Sequence, residues 1–169
     1  MTMGRVRRDG DLRAVRFERV LSASIEDVWS ALTNPERLRR WLAEAVFEER
    51  VGGRVELRFD DGTIEGTVRE LDRPRLLAYD WIEGGKRSVV RFELERAGDG
   101  TLLVLDHRRL PAETAAGFAA GWHSHLDALD AALQRGETAG DEWWDRFRSL
   151  LPAYEKAGAA LDASGPRGR

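Results

Sequence analysis

The chain has no cysteine. That excludes a disulfide framework, a thiolate zinc site and a cysteine nucleophile. No apolar run approaches the roughly 18–20 residues of a membrane-spanning helix. The N-terminus carries arginines but lacks the apolar core of a secretory signal, so cytoplasmic is the default expectation. Charge of one sign is lacking too. With 27 basic and 30 acidic side chains the net charge is −3, which gives no general reason to expect nucleic acid or an anionic membrane as partner. Local signatures of chemistry are also missing. There is no phosphate-cradling glycine loop, no GxSxG elbow, no HExxH and no paired-carboxylate motif. No cofactor and no catalytic residue is announced.

What remains is ordinary in size and rich in tryptophan. The 169 residues fit one domain with tails, and six of them are tryptophan. A domain near 150 residues buries about 68–70% of its unfolded surface, which leaves room for a core with a pocket in it. Residues 1–12 show no periodicity and read as a flexible arm. Residues 14–21 alternate as a strand, with Val15, Phe17 and Leu21 on one side and Arg19 in the same register. Ser24 with Asp27 is a capping-box variant that opens a short helix through Val28, Trp29 and Leu32. Asn34 then caps a second short helix, with Pro35 in its first turn and Leu38, Trp41 and Leu42 as its apolar residues.

Six short strands follow, near 46–51, 55–59, 64–71, 76–82, 88–96 and 102–109, each closed by a turn signal. The turns are short, which implies an antiparallel meander. Residues 111–133 read as a long amphipathic helix. Ala115, Phe118, Trp122, Leu126, Leu129 and Leu133 share one face, while Asp127, Asp130 and Ala131 lie opposite. Gly117 and Gly121 weaken that helix and imply that a sheet packs very close to it. A linker leads to a further helical extension, the two together spanning 136–162. Its stripe is Trp143, Phe147, Leu150 and Leu151, with Pro152 kinking or restarting it. Residues 163–169 read as a disordered tail. The order is strand, two short helices, six strands, long helix: an α+β domain over residues 13–135 in which the helix covers the uncharged face of the sheet.

Three histidines invite chemistry. His123 and His125 are two helical positions apart, so their rings diverge by about 200° and do not share a metal. His125 falls beside Phe118, Trp122 and Leu129, and can polarise an apolar pocket. His123 is expected to point outward, one turn from Asp127. His107 faces the helix if Leu103 and Leu105 do, although an ordinary strand-end histidine is the plainer expectation. Arg19, if inward, needs Asp80 or Asp106, and a structural ion pair is favoured over a substrate clamp. Phe59, Tyr79, Trp81 and Phe92 supply the aromatic lining of the sheet side, with Trp41 and Trp29 from the short helices. Most such rings are core, and a few can line an unfilled cavity.

The segments ASIEDVWSALTNPERLRRW at 23–41, VGG at 51–53, LAYDW at 77–81 and the GW and leucines of the long helix resemble the SRPBCC (START/Bet v 1-like) superfamily. Within it they resemble the branch named after the activator of heat-shock protein 90 ATPase (AHSA-like). The resemblance implies a helix-grip fold: a seven-stranded curved antiparallel sheet gripping the C-terminal helix, with a cavity between them. It implies binding of a small hydrophobic or aromatic molecule there, antibiotic or lipid sequestration included. Trp41, Phe59, Tyr79, Trp81, Phe92, His107, Phe118, Trp122 and His125 are the candidate contacts. Two other readings stand beside it: a polyketide cyclase-like enzyme, with His125 shuttling a proton, and a co-chaperone-like partner of an ATPase. The extension at Trp143-Trp144 offers a surface for a homodimer or a protein partner.

Overall fold

The structure, a computed structural model, describes residues 2–164. It contains one antiparallel sheet of eight strands in the order β1-β2-β8-β7-β6-β5-β4-β3. In chain order these are β1 (Arg5–Asp9), β2 (Leu12–Leu21), β3 (Glu44–Phe47), β4 (Arg54–Phe59), β5 (Gly62–Asp72), β6 (Leu76–Glu83), β7 (Lys86–Ala97) and β8 (Gly100–Leu110). The helices are α1 (Ile25–Thr33), α2 (Pro35–Trp41), α3 (Ala115–Arg135) and α4 (Glu142–Ala163). This is the helix-grip fold, with one strand more than the expected seven.

The additional strand lies in the stretch expected to be a flexible arm. Arg5–Asp9 pairs with β2 from Arg5↔Arg16 to Asp9↔Leu12. A two-residue Gly10-Asp11 loop joins them, with Gly10 at φ 60°. A tight hairpin turn favours glycine at such an angle. The strand has no hydrophobic alternation because it is held by backbone pairing and by its arginines. Arg7 donates to Asp106 at 2.8 Å.

The two short helices form as their caps dictate. Ser24 Oγ accepts from the Asp27 N–H at 3.1 Å, and Asn34 Oδ1 accepts from the Glu36 N–H at 3.0 Å. Each satisfies an orphan donor of its first turn. Across the sheet the register aligns inward residues in rows. Val15, His107, Val90, Tyr79 and Val68 form one; Phe17, Leu105, Phe92 and Leu77 form the next. All nine are buried. The opposite face carries Arg16, Asp106 and Arg91 in register.

The long helix begins later than expected. Pro111 precedes a 3-10 turn (Ala112–Thr114), and α3 starts at Ala115. Pro152 does not restart α4; the helix is continuous through it. α4 packs on α3 and on the β1–β2 end of the sheet, where Tyr154 meets Phe17, so Asp127, expected on the side of α3 opposite its apolar face, is half-buried. The sheet is thus covered by α3, and α4 closes over α3 and the β1–β2 edge. Of the expected tail, Ala163 ends α4 and Ser164 caps it, and residues 165–169 lie outside the described residues.

The docked arm is testable. A Cβ at Gly4 would stand 2.3–2.6 Å from ring atoms of Phe17. Gly4→Val should therefore cost about 1–3 kcal/mol, as overpacking does, and lower the thermal midpoint by several degrees. A neutral outcome by thermal unfolding would mean that the arm is loose after all.

Candidate functional site

A cleft of about 710 Å³ opens between α3, the sheet at β4 and β6, the end of α2 and the first turns of α4. Its floor on α3 is made of Gly117, Gly121 and His125, spaced four residues apart and so on one helical face. A Cβ at either glycine would meet no atom within 4 Å. This corrects the expectation that the glycines admit a close-packed sheet: they face empty space. The neighbouring rings explain why. Phe118 stands 4.7 Å from His107, and Trp122 sits 5.5 Å from Trp81 and 5.9 Å from Phe92, centroid to centroid. These bulky rings prop the helix off the sheet beside the glycines.

Of the nine residues expected at the site, Trp41, Phe59, Trp81, Phe118, Trp122 and His125 line the cleft. Tyr79, Phe92 and His107 do not. Tyr79 packs against Phe47 and Phe92 in the core, and Phe92 lies under Trp122. His107 is inward as the parity argument allowed, but it is wholly buried and fully engaged. The Trp122 indole N–H donates to its Nδ1 at 2.9 Å. Nε2 therefore carries the proton and donates to Ser88 Oγ at 2.7 Å, whose hydroxyl donates to the Trp81 carbonyl at 3.2 Å. Burial pushes its pKa down to about 3. His107 is a neutral link that positions Trp122.

His125 is the polar group of the cleft. Its Nδ1 lies 3.1 Å from the Trp41 carbonyl, which can only accept, so the proton sits on Nδ1. Nε2 is left with its lone pair and no partner among the described residues. Burial lowers its pKa to about 4, against a small opposing effect of the Trp41 bond. Its ring is 4.6 Å from Trp143, 5.8 Å from Trp122 and 5.9 Å from Phe59.

Trp143, Trp144 and Phe147 of α4 complete the site as its roof. Trp143 and Phe147 stack at 5.5 Å with an interplanar angle of 12°. The Trp144 indole N–H reaches Asp60 at 3.4 Å across the mouth. The spacing of Trp143 and Phe147 showed a stripe, and Trp143-Trp144 a surface for a partner, but nothing local assigned either to a pocket. Density of aromatic residues at the start of the extension was the one available signal.

Two further expectations change. His123 does not point outward: its ring stands edge-on to Phe17 of β2 at 6.0 Å and is covered by Tyr154 of α4. Tyr154 O–H accepts from the Gly4 N–H at 2.8 Å and shares a hydrogen bond of 2.7 Å with His123 Nδ1. Arg19 does form an ion pair, but its partner is Asp127 at 3.0 Å, which also binds Arg146 at 2.9 Å. Asp80 and Asp106 lie on the opposite sheet face and pair with Arg69, and with Arg7 and Arg16, respectively. Among the described residues no group of three or more His, Asp or Glu could hold a metal, and no helix is long and apolar enough to cross a membrane.

Residues 22–134 match the family model described as activator of Hsp90 ATPase homolog 1-like protein. The chain belongs to this AHSA-like family. Among solved structures, CalU16 from Micromonospora echinospora is 28% identical in solution, with a TM-score of 0.81 over 98% of this chain and 97% of that one. Its crystal form gives 29% identity and 0.77 over 95% and 98%. DynU16, from the dynemicin biosynthetic locus, is 24% identical, with a TM-score of 0.69 over 77% of this chain and 49% of its own. The Aha1 dimer from Colwellia psychrerythraea is 21% identical, at 0.67 over 73% and 97%. These last two show the fold alone. No curated protein matches the sequence. The AHSA-like model ends before α4, whereas the likeness to CalU16 runs on through it.

The histidines give this AHSA-like chain a defined acid response. His107, His123 and His125 have folded-state pKa values of about 3, 4 and 4, each lowered first by burial, and for His123 also by Arg19 and Arg146 against an opposing Asp127. Between these values and the ordinary 6.5, the unfolded chain binds more protons than the folded one. Stability is therefore complete above about pH 6.5 and declines as pH falls toward about 4, with a slope of up to about 1.36 kcal/mol per pH unit for each histidine. Urea unfolding across that window should show the decline, and His125→Gln should reduce its slope. A flat profile would contradict the buried neutral assignments.

Proposed function

We propose that this AHSA-like chain binds a small, apolar, aromatic molecule in the cleft between sheet and α3, under the roof of α4. The observation that carries this is the void itself. Its volume of about 710 Å³ lies inside the range of about 300–1,000 Å³ typical of small-molecule sites. Aromatic rings wall it on both sides. Trp81, Trp122 and Phe59 line it from the sheet and α3, and Trp143 and Phe147 from α4. Two helical glycines keep it open at the expense of helix propensity. Flat rings prefer offset or edge contacts of the kind this wall provides.

His125 supplies direction. Its Nε2 lone pair accepts a hydrogen bond from a hydroxyl or N–H of the ligand. With a pKa near 4 it is a weak base at neutral pH, suited to holding a proton donor in place. A cyclase would need a base nearer its operating pH. A partner-protein role would leave the open, ring-lined void without use. Both considerations support ligand binding, with sequestration of the bound molecule as its simplest outcome.

Gly121 separates fold from function. Gly121→Ala should add about 1 kcal/mol through helix propensity alone and raise the thermal midpoint by roughly 2–4 °C. Gly121→Phe should stay folded, since its Cβ meets nothing, while its ring fills the cleft. Thermal unfolding against a panel of aromatic metabolites reads both. A ligand at 100 times its dissociation constant adds about 2.7 kcal/mol. That shift should be present in the wild type and absent in Gly121→Phe. A broad panel that moves neither protein would sink the proposal.

A further inference from the structure

We infer that the molecule held in this cleft is an organic cation: an aromatic body carrying a protonated amine at the mouth. This deepens the ligand-binding reading and rests on it. The argument is the charge that the cleft leaves uncompensated.

Eight charged residues lie on its lining. Arg39 is ion-paired with Glu36 at 3.2 Å and Arg58 with Glu56 at 3.1 Å. Glu44 and Glu83 stand opposite Arg58 and Lys86 in the sheet register, but neither pair closes into an ion pair. Glu44, Asp60, Asp61, Glu83 and Asp141 are therefore without an ion pair among the described residues, against Arg40 alone. The excess is acidic, and it comes from separate elements: the start of β3, the β4–β5 turn, the end of β6 and the residue before α4. The positive end of α4 would otherwise favour an anion at this mouth. Asp141 and Glu142 at its first turn offset that preference.

Below the rim the walls are π-faces. Trp143 and Phe147 are stacked, Trp144 meets them edge-on, and Phe59 lines the cleft from the sheet. A cation close to indole and phenyl faces is attracted by their quadrupoles, and more strongly where water is excluded. Carboxylates around aromatic faces recognise an alkyl- or arylammonium group. A metal ion would need convergent ligands, which the described residues do not offer. The ammonium belongs at the rim, the rings between Trp122 and Trp143, and a hydroxyl or N–H on His125 Nε2.

Three probes with one ring system test this by calorimetric titration of the full chain at neutral pH: 9-(aminomethyl)anthracene, 9-anthracenemethanol and 9-anthracenecarboxylic acid. The ammonium form should bind roughly ten-fold tighter than the alcohol, and the carboxylate weaker than the alcohol. The preference should shrink between about 0.01 M and about 0.15 M salt, as the screening length falls from roughly 30 to 8 Å. In the triple variant Asp60→Asn/Asp61→Asn/Glu83→Gln the ratio of ammonium to alcohol affinity should collapse toward one. If the alcohol or the carboxylate binds as tightly as the amine, the cation inference falls and the ligand-binding reading stands. If none of the three binds, both fall.

Discussion

The hydrogen bond from the Trp122 indole to His107 decides where α3 stands on the sheet. It lies in the core, where an unpaired polar group costs about 1–3 kcal/mol. Its acceptor exists only while His107 is neutral with the proton on Nε2. That proton goes to Ser88, and the Ser88 hydroxyl goes to the Trp81 carbonyl. One directed chain thus joins α3 to β8, β7 and β6. Because Trp122 is fixed at that height, the helix cannot settle onto the sheet at Gly117 and Gly121. The cleft is the space that results.

A second polar cluster holds the outer layer. Tyr154 accepts from the Gly4 N–H and is hydrogen-bonded to His123, while Asp127 joins Arg19 and Arg146. β1, β2, α3 and α4 meet there. The cluster is not free of cost: His123 Nε2 and two nitrogens of Arg19 are buried without a partner. It fixes α4 in orientation, whereas apolar contact alone would let the helix slide. Roof and floor of the cleft are thereby set by two different networks, one on each side of α3.

Much of this could be read from the chain. Period-two alternation at Val90, Phe92 and Leu94 against Arg91, Glu93 and Glu95 fixed the inner face of β7, and the caps at Ser24 and Asn34 fixed both short helices. β1 was illegible because five residues with three arginines carry no hydrophobic pattern; their pairing is a property of backbone and of Asp106. For His107, parity gave direction but not depth, which depends on how far Trp122 reaches. The glycines of α3 were correctly seen as anomalous and wrongly assigned, since a glycine that admits a neighbour and one that admits a void look alike in sequence. His123 was expected to point outward, but both Phe17 of β2 and Tyr154 of α4 pack on that part of α3, which the helical period alone does not show. The roof residues required knowing that α4 folds back over α3, a long-range contact no local period encodes.

α4 also has a mechanical meaning. Its 22 residues span about 33 Å at 1.5 Å per residue. Near its far end Arg8 and Arg13 of the β1–β2 hairpin hold Leu161 and Asp162. Tyr154 pins it between there and the cleft. The roof at Trp143 lies about 16 Å from that pin. There Ser124 of α3 donates to the Trp143 carbonyl at 3.0 Å and Arg146 pairs with Asp127 at 2.9 Å, while among the described residues the one polar tie to the sheet is the 3.4 Å contact of Trp144 with Asp60. The helix is thus a beam fastened to the β1–β2 hairpin at one end and to α3 at the other. A tilt of about 5° about Tyr154 displaces Trp143 by about 1.4 Å along an arm of that length. Width at the entrance accordingly depends on fastenings spread along the whole beam, from a pair of arginines at its last turn to a serine beneath its first.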